Sequence, residues 1–136
     1  MTEIQTEIES RTIILVVEDD VLIRMPIASY LRDCGYRVIE AADGDEALAV
    51  LAQAEINVEI LLTDAEMPGV LDGFGLLKWV RENRPDIRAI LAGTPSRAVS
   101  AAGGLCEETP WVVKPYQPQT VHDHIRGLLA ARERAQ

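Results

Sequence analysis

One stretch decides the fold of this 136-residue chain: VEILLTDAEMPG, residues 58–69. Its apolar run from Ile60 to Leu62 stops at Thr63-Asp64, and a Pro-Gly turn follows. A short apolar run that ends in turn residues is typical of a strand buried on both faces of a parallel sheet. We expect Asp64 to lie at the carboxyl end of this strand, where open α/β sheets place their ligands.

A second apolar run ends in acid in the same way. Residues 13–17, IILVV, are followed directly by Glu18, Asp19 and Asp20. Oxygen-rich carboxylate sites bind hard cations such as Mg²⁺. Two buried strands that deliver carboxylates to one edge of a sheet therefore predict a hard-cation site.

Charge and composition exclude several classes of protein. The net charge is −9, from 22 acidic and 13 basic residues. The sequence has no cluster of Lys and Arg that would form a basic patch, so direct binding to nucleic acid is not expected. The apolar stretches are too short to cross a membrane. Residues 1–10 hold three Glu and no apolar segment, so we expect a flexible solvated tail rather than a signal peptide, and a cytoplasmic location by default. Cys34 and Cys106 lack metal-ligand spacing, which favours two buried, reduced thiols.

The rest of the chain, residues 11–136, predicts a single domain in which strands and helices alternate. Helix inner faces are predicted at the following apolar positions: Val21, Leu22, Met25, Ala28 and Leu31; Ala47, Leu48, Leu51 and Ala54; Phe74, Leu77 and Val80; Val121, Ile125, Leu128 and Leu129. Strands are predicted at 12–17, 36–40, 58–63, 87–92 and 111–113, and a short fourth helix at 96–102. Pro26 predicts a kink or a 3₁₀ step in the first helix.

This alternation predicts a doubly wound (βα)₅ α/β sandwich, because parallel strands need crossover helices of a fixed hand. In the strand order 2-1-3-4-5, strands 1 and 3 are neighbours. The acids at 18–20 and Asp64 are then expected to converge, and strand 5 brings Lys114 from the far side.

Three motifs resemble the signatures of response regulator receiver domains: VVEDD at 16–20, TDAEMPG at 63–69 and VKPY at 113–116. The resemblance covers about residues 12–130, and each motif follows a predicted strand. It implies a flavodoxin-like fold, similar to stand-alone chemotaxis-type receivers. It also implies a signalling switch of a two-component phosphorelay rather than a metabolic enzyme.

The resemblance assigns a role to each residue at the predicted edge. Asp64 is the phosphoacceptor, which takes a phosphoryl group from a kinase phosphohistidine. Asp19, Asp64 and the Glu66 backbone carbonyl are expected to bind Mg²⁺, with Glu18 acting partly through water. A carboxylate is a weak nucleophile, so Mg²⁺ and Lys114 are expected to neutralise charge on the transferring oxygens. Similar receivers also suggest a cis Lys114-Pro115 bond.

Two positions depart from the family pattern. Receivers usually carry Ser or Thr at the end of strand 4, but an ungapped count places Gly93 there, with Thr94 next. Either Thr94 supplies the switch hydroxyl after a one-residue adjustment, or the site lacks it. The loop at 67–73 also has one residue more than most receivers, which predicts a longer loop beside the pocket.

Trp111 stands where receivers carry the aromatic residue that turns inward on activation. A buried core tryptophan is the simpler alternative. His122 and His124 are expected to be exposed and without a catalytic role.

Several partners and two other functions remain open at this point. The expected donor is a sensor histidine kinase or a phosphotransfer protein. The signal is expected to pass to a separate downstream protein, or through a homodimer, by the face of the fourth helix, fifth strand and last helix. The alternative is a degenerate receiver that binds partners independently of phosphorylation. A flavin-binding protein of the same topology is disfavoured, since acids after strand 1 repel phosphate.

Overall fold

The computed structural model describes residues 12–94 and 109–135. Its elements in chain order are β1 (Ile13–Val17), α1 (Val21–Asp33), β2 (Arg37–Ala41), α2 (Gly44–Leu51), β3 (Val58–Asp64), α3 (Gly73–Asn83), β4 (Arg88–Gly93), β5 (Trp111–Val113) and α4 (Pro118–Ala135). The predicted helix at 96–102 and Cys106 lie outside the described residues.

The five strands form one parallel sheet in the order β2-β1-β3-β4-β5, as predicted. Val17 pairs with Thr63, and Asp64 pairs with Ala92. Gly93 pairs in turn with Val113. The carboxyl ends of β1, β3, β4 and β5 therefore meet at one edge.

Apolar packing covers both faces of the sheet. Alternate residues of β3 point to opposite sides: Leu61 belongs to a cluster that includes α2 and α3, and Leu62 to a cluster that includes α1 and α4. Burial on both faces explains why the strands are continuous apolar runs rather than alternating ones.

Helix α1 is capped by local hydrogen bonds at both ends. The Asp20 side chain caps its first turn by accepting from Leu22 N at 2.9 Å. Gly35 follows its end with a φ of 104°, and Tyr36 N donates back to Leu31 O at 3.2 Å, as in a Schellman motif. The helix continues as α-helix through Pro26.

The predicted inner face of α1 is wrong in its first turns. Val21, Leu22 and Met25 are 44%, 81% and 59% exposed, whereas Ile27, Ala28 and Leu31 are buried. The three apolar side chains of the first turns therefore face solvent rather than the sheet.

The second helix ends before the last apolar position predicted for its inner face. Asp43 caps α2 by accepting from Glu46 N at 2.9 Å, and Glu46 reaches back to Ala42 N rather than to the cap residue itself. The helix ends at Leu51. Ala54 is therefore exposed instead of buried, which corrects its assignment to the inner stripe.

The structure also describes one of the two cysteines and the length and polarity of the helices. Cys34, at the end of α1, is half-buried rather than buried, and its Sγ lies 3.5 Å from His122 Nδ1. None of the helices within 12–94 and 109–135 is long and apolar enough to cross a membrane.

Candidate functional site

Three carboxylates from two strands meet at the edge where β1 and β3 end. Oxygen atoms of Glu18, Asp19 and Asp64 lie within 4.8 Å of one another. Glu18 is fully buried and Asp64 is 7% exposed, while Asp19 faces solvent. The structure thus brings together three of the four acids that were expected to converge, whereas Asp20 caps α1 instead.

Lys114 lies between two of these carboxylates. Its Nζ donates to Glu18 Oε1 at 2.6 Å and to Asp64 Oδ2 at 2.9 Å. The residue follows β5, and its backbone N–H donates to Gly93 O at 2.9 Å. The peptide bond to Pro115 is cis, as expected. The ammonium group therefore enters the pocket from the far strand and fixes the positions of Glu18 and Asp64.

The electrostatics of the pocket follow from this burial. Burial raises the pKa of Glu18 above its ordinary value, although the hydrogen bonds from Lys114 and from Asp20 N oppose the shift. Burial alone would lower the pKa of Lys114, but its hydrogen bonds to Glu18 and Asp64 outweigh that effect and raise the pKa. Lys114 therefore stays protonated at neutral pH and supplies a fixed positive charge.

The carboxylate of Asp64 is oriented by its own loop as well. Its Oδ1 accepts from Glu66 N at 3.1 Å. Helix α3 begins very close to it, because Gly73 N donates to Ala65 O at 3.1 Å. A Cβ at Gly73 would lie 2.1 Å from Asp64 O. Glycine at this position is what allows the helix to start against the backbone of the site.

The donor set fits a divalent cation. Three carboxylates and one ammonium leave two negative charges in the cluster of Glu18, Asp19, Asp64 and Lys114. A hard divalent cation such as Mg²⁺ prefers oxygen ligands and uses only one or two carboxylates, so Asp19 and Asp64 are sufficient as direct ligands. The Glu66 side chain is exposed.

Sequence reasoning missed two residues that support the pocket. Arg24 of α1 donates from Nη1 to Glu18 O at 2.8 Å and from Nε to Glu40 Oε1 at 3.1 Å, so it holds the loop that carries Glu18. Tyr116 lies beside the pocket; burial and then the negative charges of Glu18 and Asp64 raise the pKa of its phenol. In the sequence, Tyr116 could have been found from its position two residues after Lys114, whereas no pattern indicated Arg24.

At the neighbouring end of β4, a glycine and a tryptophan fit together. Gly93 is the last residue of the strand, and a Cβ there would lie 2.8 Å from Trp111 Cζ2. Thr94 follows it and is exposed. Trp111 is half-buried and stacks on Phe74 of α3, with ring centroids 6.4 Å apart.

The longer loop at 67–73 carries the apolar side chain of Val70 into solvent. Val70 is fully exposed at 105%, next to Gly69 with a φ of 102°. Leu71 packs inward instead: a Cβ at Gly44 would lie 2.5 Å from Leu71 O, and one at Gly75 would lie 2.9 Å from Leu71 Cδ1.

The expectation that His122 is exposed is wrong. It is half-buried, with Nδ1 3.5 Å from Cys34 Sγ and Nε2 3.0 Å from the Tyr36 hydroxyl. His122 therefore packs α4 against the end of α1, on the sheet face away from α2 and α3.

A family model described as "Response regulator receiver domain" matches residues 14–126. The chain belongs to this family. A relative, the probable transcriptional regulator ycf27 of Cyanophora paradoxa, is 36% identical over 121 residues, which is 88% of this chain and 49% of that protein. This chain spans about half the length of the first curated relatives it matches.

Solved receiver structures share the fold. A response regulator receiver domain protein from Clostridium thermocellum has a TM-score of 0.83 at 21% identity, covering 93% of this receiver and 100% of that chain. The response regulator TrrA from Thermotoga maritima, solved in complex with Mg²⁺ and BeF, has a TM-score of 0.75 at 27% identity, covering 87% and 99%.

Proposed function

We propose that this receiver accepts a phosphoryl group on Asp64 from a histidine kinase or a phosphotransfer protein and relays the signal to a separate partner. Receiver domains are signalling switches rather than classical enzymes. The chemistry of this one is its own phosphorylation and dephosphorylation. In this proposal, Glu18, Asp19, Asp64 and the Glu66 backbone carbonyl hold Mg²⁺.

One observation carries the proposal: Lys114 Nζ bridges Glu18 and Asp64 at 2.6 and 2.9 Å, in the same cluster as Asp19. A structural ion pair needs only one acid for one base. Here two buried carboxylates share one base, and a buried carboxylate that is not fully compensated is costly unless a further positive charge is bound there. The arrangement is therefore suited to a cation and to an anionic group that arrives with it.

The residues of the chain share the work of phosphoryl transfer. Asp64 forms the new O–P bond while the N–P bond of the donor phosphohistidine breaks, and the imidazole nitrogen keeps the electron pair of that bond. The hydrogen bonds from Glu66 N and Lys114 Nζ hold the Asp64 carboxylate in one orientation before the reaction. Bound Mg²⁺ supplies charge neutralisation on the transferring oxygens. The complex of TrrA with Mg²⁺ and BeF supports this assignment by similarity.

A donor protein must reach Asp64 from the carboxyl edge of the sheet. Helix α1 begins at this edge, shortly after the end of β1, and its exposed apolar side chains Leu22 and Met25 are proposed as a contact surface for the donor. The signal is proposed to leave through the face that includes β5 and α4, by bias between two conformations, either to a downstream protein or to a second copy of the chain. We place the protein in the cytoplasm, where such relays operate.

A second function is favoured by one observation, the glycine at position 93. No side chain at the end of β4 carries a hydroxyl, and the Trp111 ring fills that space. Thr94, the other candidate for the switch hydroxyl, is exposed. A degenerate receiver that binds partners independently of phosphorylation would have the same sheet and the same acids.

Exposure to acetyl phosphate and Mg²⁺, followed by intact-mass spectrometry, separates the two. We expect the mass of one phosphoryl group on Asp64, as an acid-stable and base-labile adduct that is absent without Mg²⁺ and in Asp64→Asn. The matched control is Asp45→Asn, an exposed acid in the first turn of α2, which should be phosphorylated normally. Absence of any adduct in the native chain under saturating donor would favour the degenerate receiver.

A further inference from the structure

Glycine at position 93 is explained by space rather than by backbone conformation. Among the described residues, the glycines with a positive φ are Gly35 and Gly69. Gly93 does not have a positive φ, so its backbone conformation does not require glycine. A Cβ at Gly93 would instead lie 2.8 Å from Cζ2 and 3.1 Å from Cη2 of Trp111. Any residue other than glycine would therefore have to push the indole ring away.

The ring is held in this space by packing. It stacks on Phe74 at an interplanar angle of 28° and packs against the core cluster that contains Leu91 and Ala65. Its Nε1 is buried without a hydrogen-bond partner among the described residues. A buried N–H without an acceptor is unfavourable, so the contacts of the ring must outweigh that cost.

We infer that Gly93 fixes Trp111 in the inward position whether or not Asp64 carries a phosphoryl group. The inference rests on the proposed function. It changes the role expected for Trp111 from an aromatic residue that turns inward on activation to one that stays in place. Residue 93 has no side chain that could be drawn toward a phosphoryl group, so no movement there can open or close the space for the ring. An outward ring would leave an apolar cavity at Gly93. Gly93 is thus a positioning residue for Trp111, and the signal leaves by another route.

The test follows Trp111 fluorescence before and after loading with Mg²⁺ and beryllofluoride. The chain has two tryptophans, so Trp79→Phe leaves Trp111 as the only reporter. We expect the emission maximum and the acrylamide quenching constant of Trp111 to be unchanged on loading. Loading is measured separately by the ¹⁹F NMR signal of bound beryllofluoride, which Asp64→Asn should abolish.

Variants at position 93 test the packing in the same background. Gly93→Ala should shift the Trp111 emission to longer wavelength and increase its quenching, because the added Cβ displaces the ring. Gly127→Ala is the matched control, since a Cβ there meets nothing within 4 Å, and it should leave both signals unchanged. Should Gly93→Ala fold poorly, adding Trp111→Phe should restore part of the lost thermal stability, because the smaller ring leaves room for the Cβ.

The outcomes separate the inference from the proposed function. Suppose that the chain that keeps Gly93 shows the ¹⁹F signal and that its Trp111 emission shifts on loading. This result overturns the inference, but it is consistent with Asp64 as the phosphoacceptor. No ¹⁹F signal counts against the proposed function. In that case Gly93→Ala still decides the inference: an unchanged Trp111 spectrum would show that the ring does not depend on residue 93.

Discussion

The carboxylate pocket and the Gly93–Trp111 contact lie at the same edge of the sheet, but different forces hold them. The pocket depends on charge: Lys114 offsets two buried carboxylates at 2.6 and 2.9 Å. The neighbouring contact depends on volume, because the Trp111 ring occupies the space of a missing side chain. A charge cluster tolerates small displacements and responds to ligands, whereas close packing responds to added atoms. The two regions should therefore fail in different ways when they are mutated.

Removing the positive charge should have the largest effect. In Lys114→Gln, Glu18 and Asp64 keep their burial but lose the ammonium between them, so we expect a loss of about 3 kcal/mol in the free energy of unfolding. The rate of phosphorylation by acetyl phosphate should fall about 100-fold. Urea unfolding and intact-mass kinetics measure the two effects.

The control for this change is the other lysine of the chain. Lys78 is exposed on α3, and Lys78→Gln should leave both the stability and the rate within error of the native values. An equal loss in both variants would mean that overall charge, rather than the ion pair, matters.

A smaller effect is expected where the pocket depends on close approach of the backbone. A Cβ at Gly73 would meet Asp64 O at 2.1 Å and Ala65 Cα at 2.7 Å, and backbone atoms cannot turn aside as a side chain can. Gly73→Ala should cost about 2 kcal/mol and slow phosphorylation by moving Asp64. The matched change Gly127→Ala, in open space on α4, should stabilise the chain by about 0.5–1 kcal/mol. Chemical denaturation of both variants would show whether steric contact or helix propensity determines the change in the free energy of unfolding.

The pocket could be predicted from the sequence because its parts are marked locally. Asp64 and Glu18 each follow an apolar run, and parallel strands bring such ends to one edge. The alternation of elements predicts the parallel sheet, and 2-1-3-4-5 is one of the two common doubly wound strand orders. Neither step requires knowledge of how side chains fit together.

The rest could not be predicted because it depends on contacts between distant segments. An apolar period locates a stripe on α1, but it does not show which positions of the stripe have a neighbour to pack against, so Leu22 and Met25 were assigned to the core although they are exposed. Gly93 and Trp111 are 18 positions apart, and no spacing rule links the size of one to the position of the other. The support from Arg24 was missed for the same reason.

Arg24 offers a third way to separate charge from packing. It joins Glu18 O to Glu40, at 2.8 and 3.1 Å, so Arg24→Met should loosen the acidic loop and cost about 1.5 kcal/mol. The rise in melting temperature on adding Mg²⁺ should shrink as well, because the loop must be ordered again when the ion binds.

Arg32 provides the comparison for this variant. It shares Glu40 at 3.2 Å but donates to Val38 O instead of Glu18 O. Arg32→Met should therefore leave the Mg²⁺-dependent rise in melting temperature unchanged. If both variants reduced it equally, the ion pair with Glu40 would be responsible rather than the contact to the acidic loop.

The smallest effects are expected in the longer loop, where exposure and packing alternate between neighbours. Val70 is fully exposed, so Val70→Ala should change the free energy of unfolding by less than about 0.5 kcal/mol. Leu71 lies against Gly44 and Gly75, and Leu71→Ala should cost about 1 kcal/mol, since part of an apolar side chain loses its burial. Melting temperatures of the two variants, with phosphorylation rates measured alongside, would test this. A larger loss for Val70→Ala than for Leu71→Ala would mean that the extra residue is accommodated at a different point of the loop.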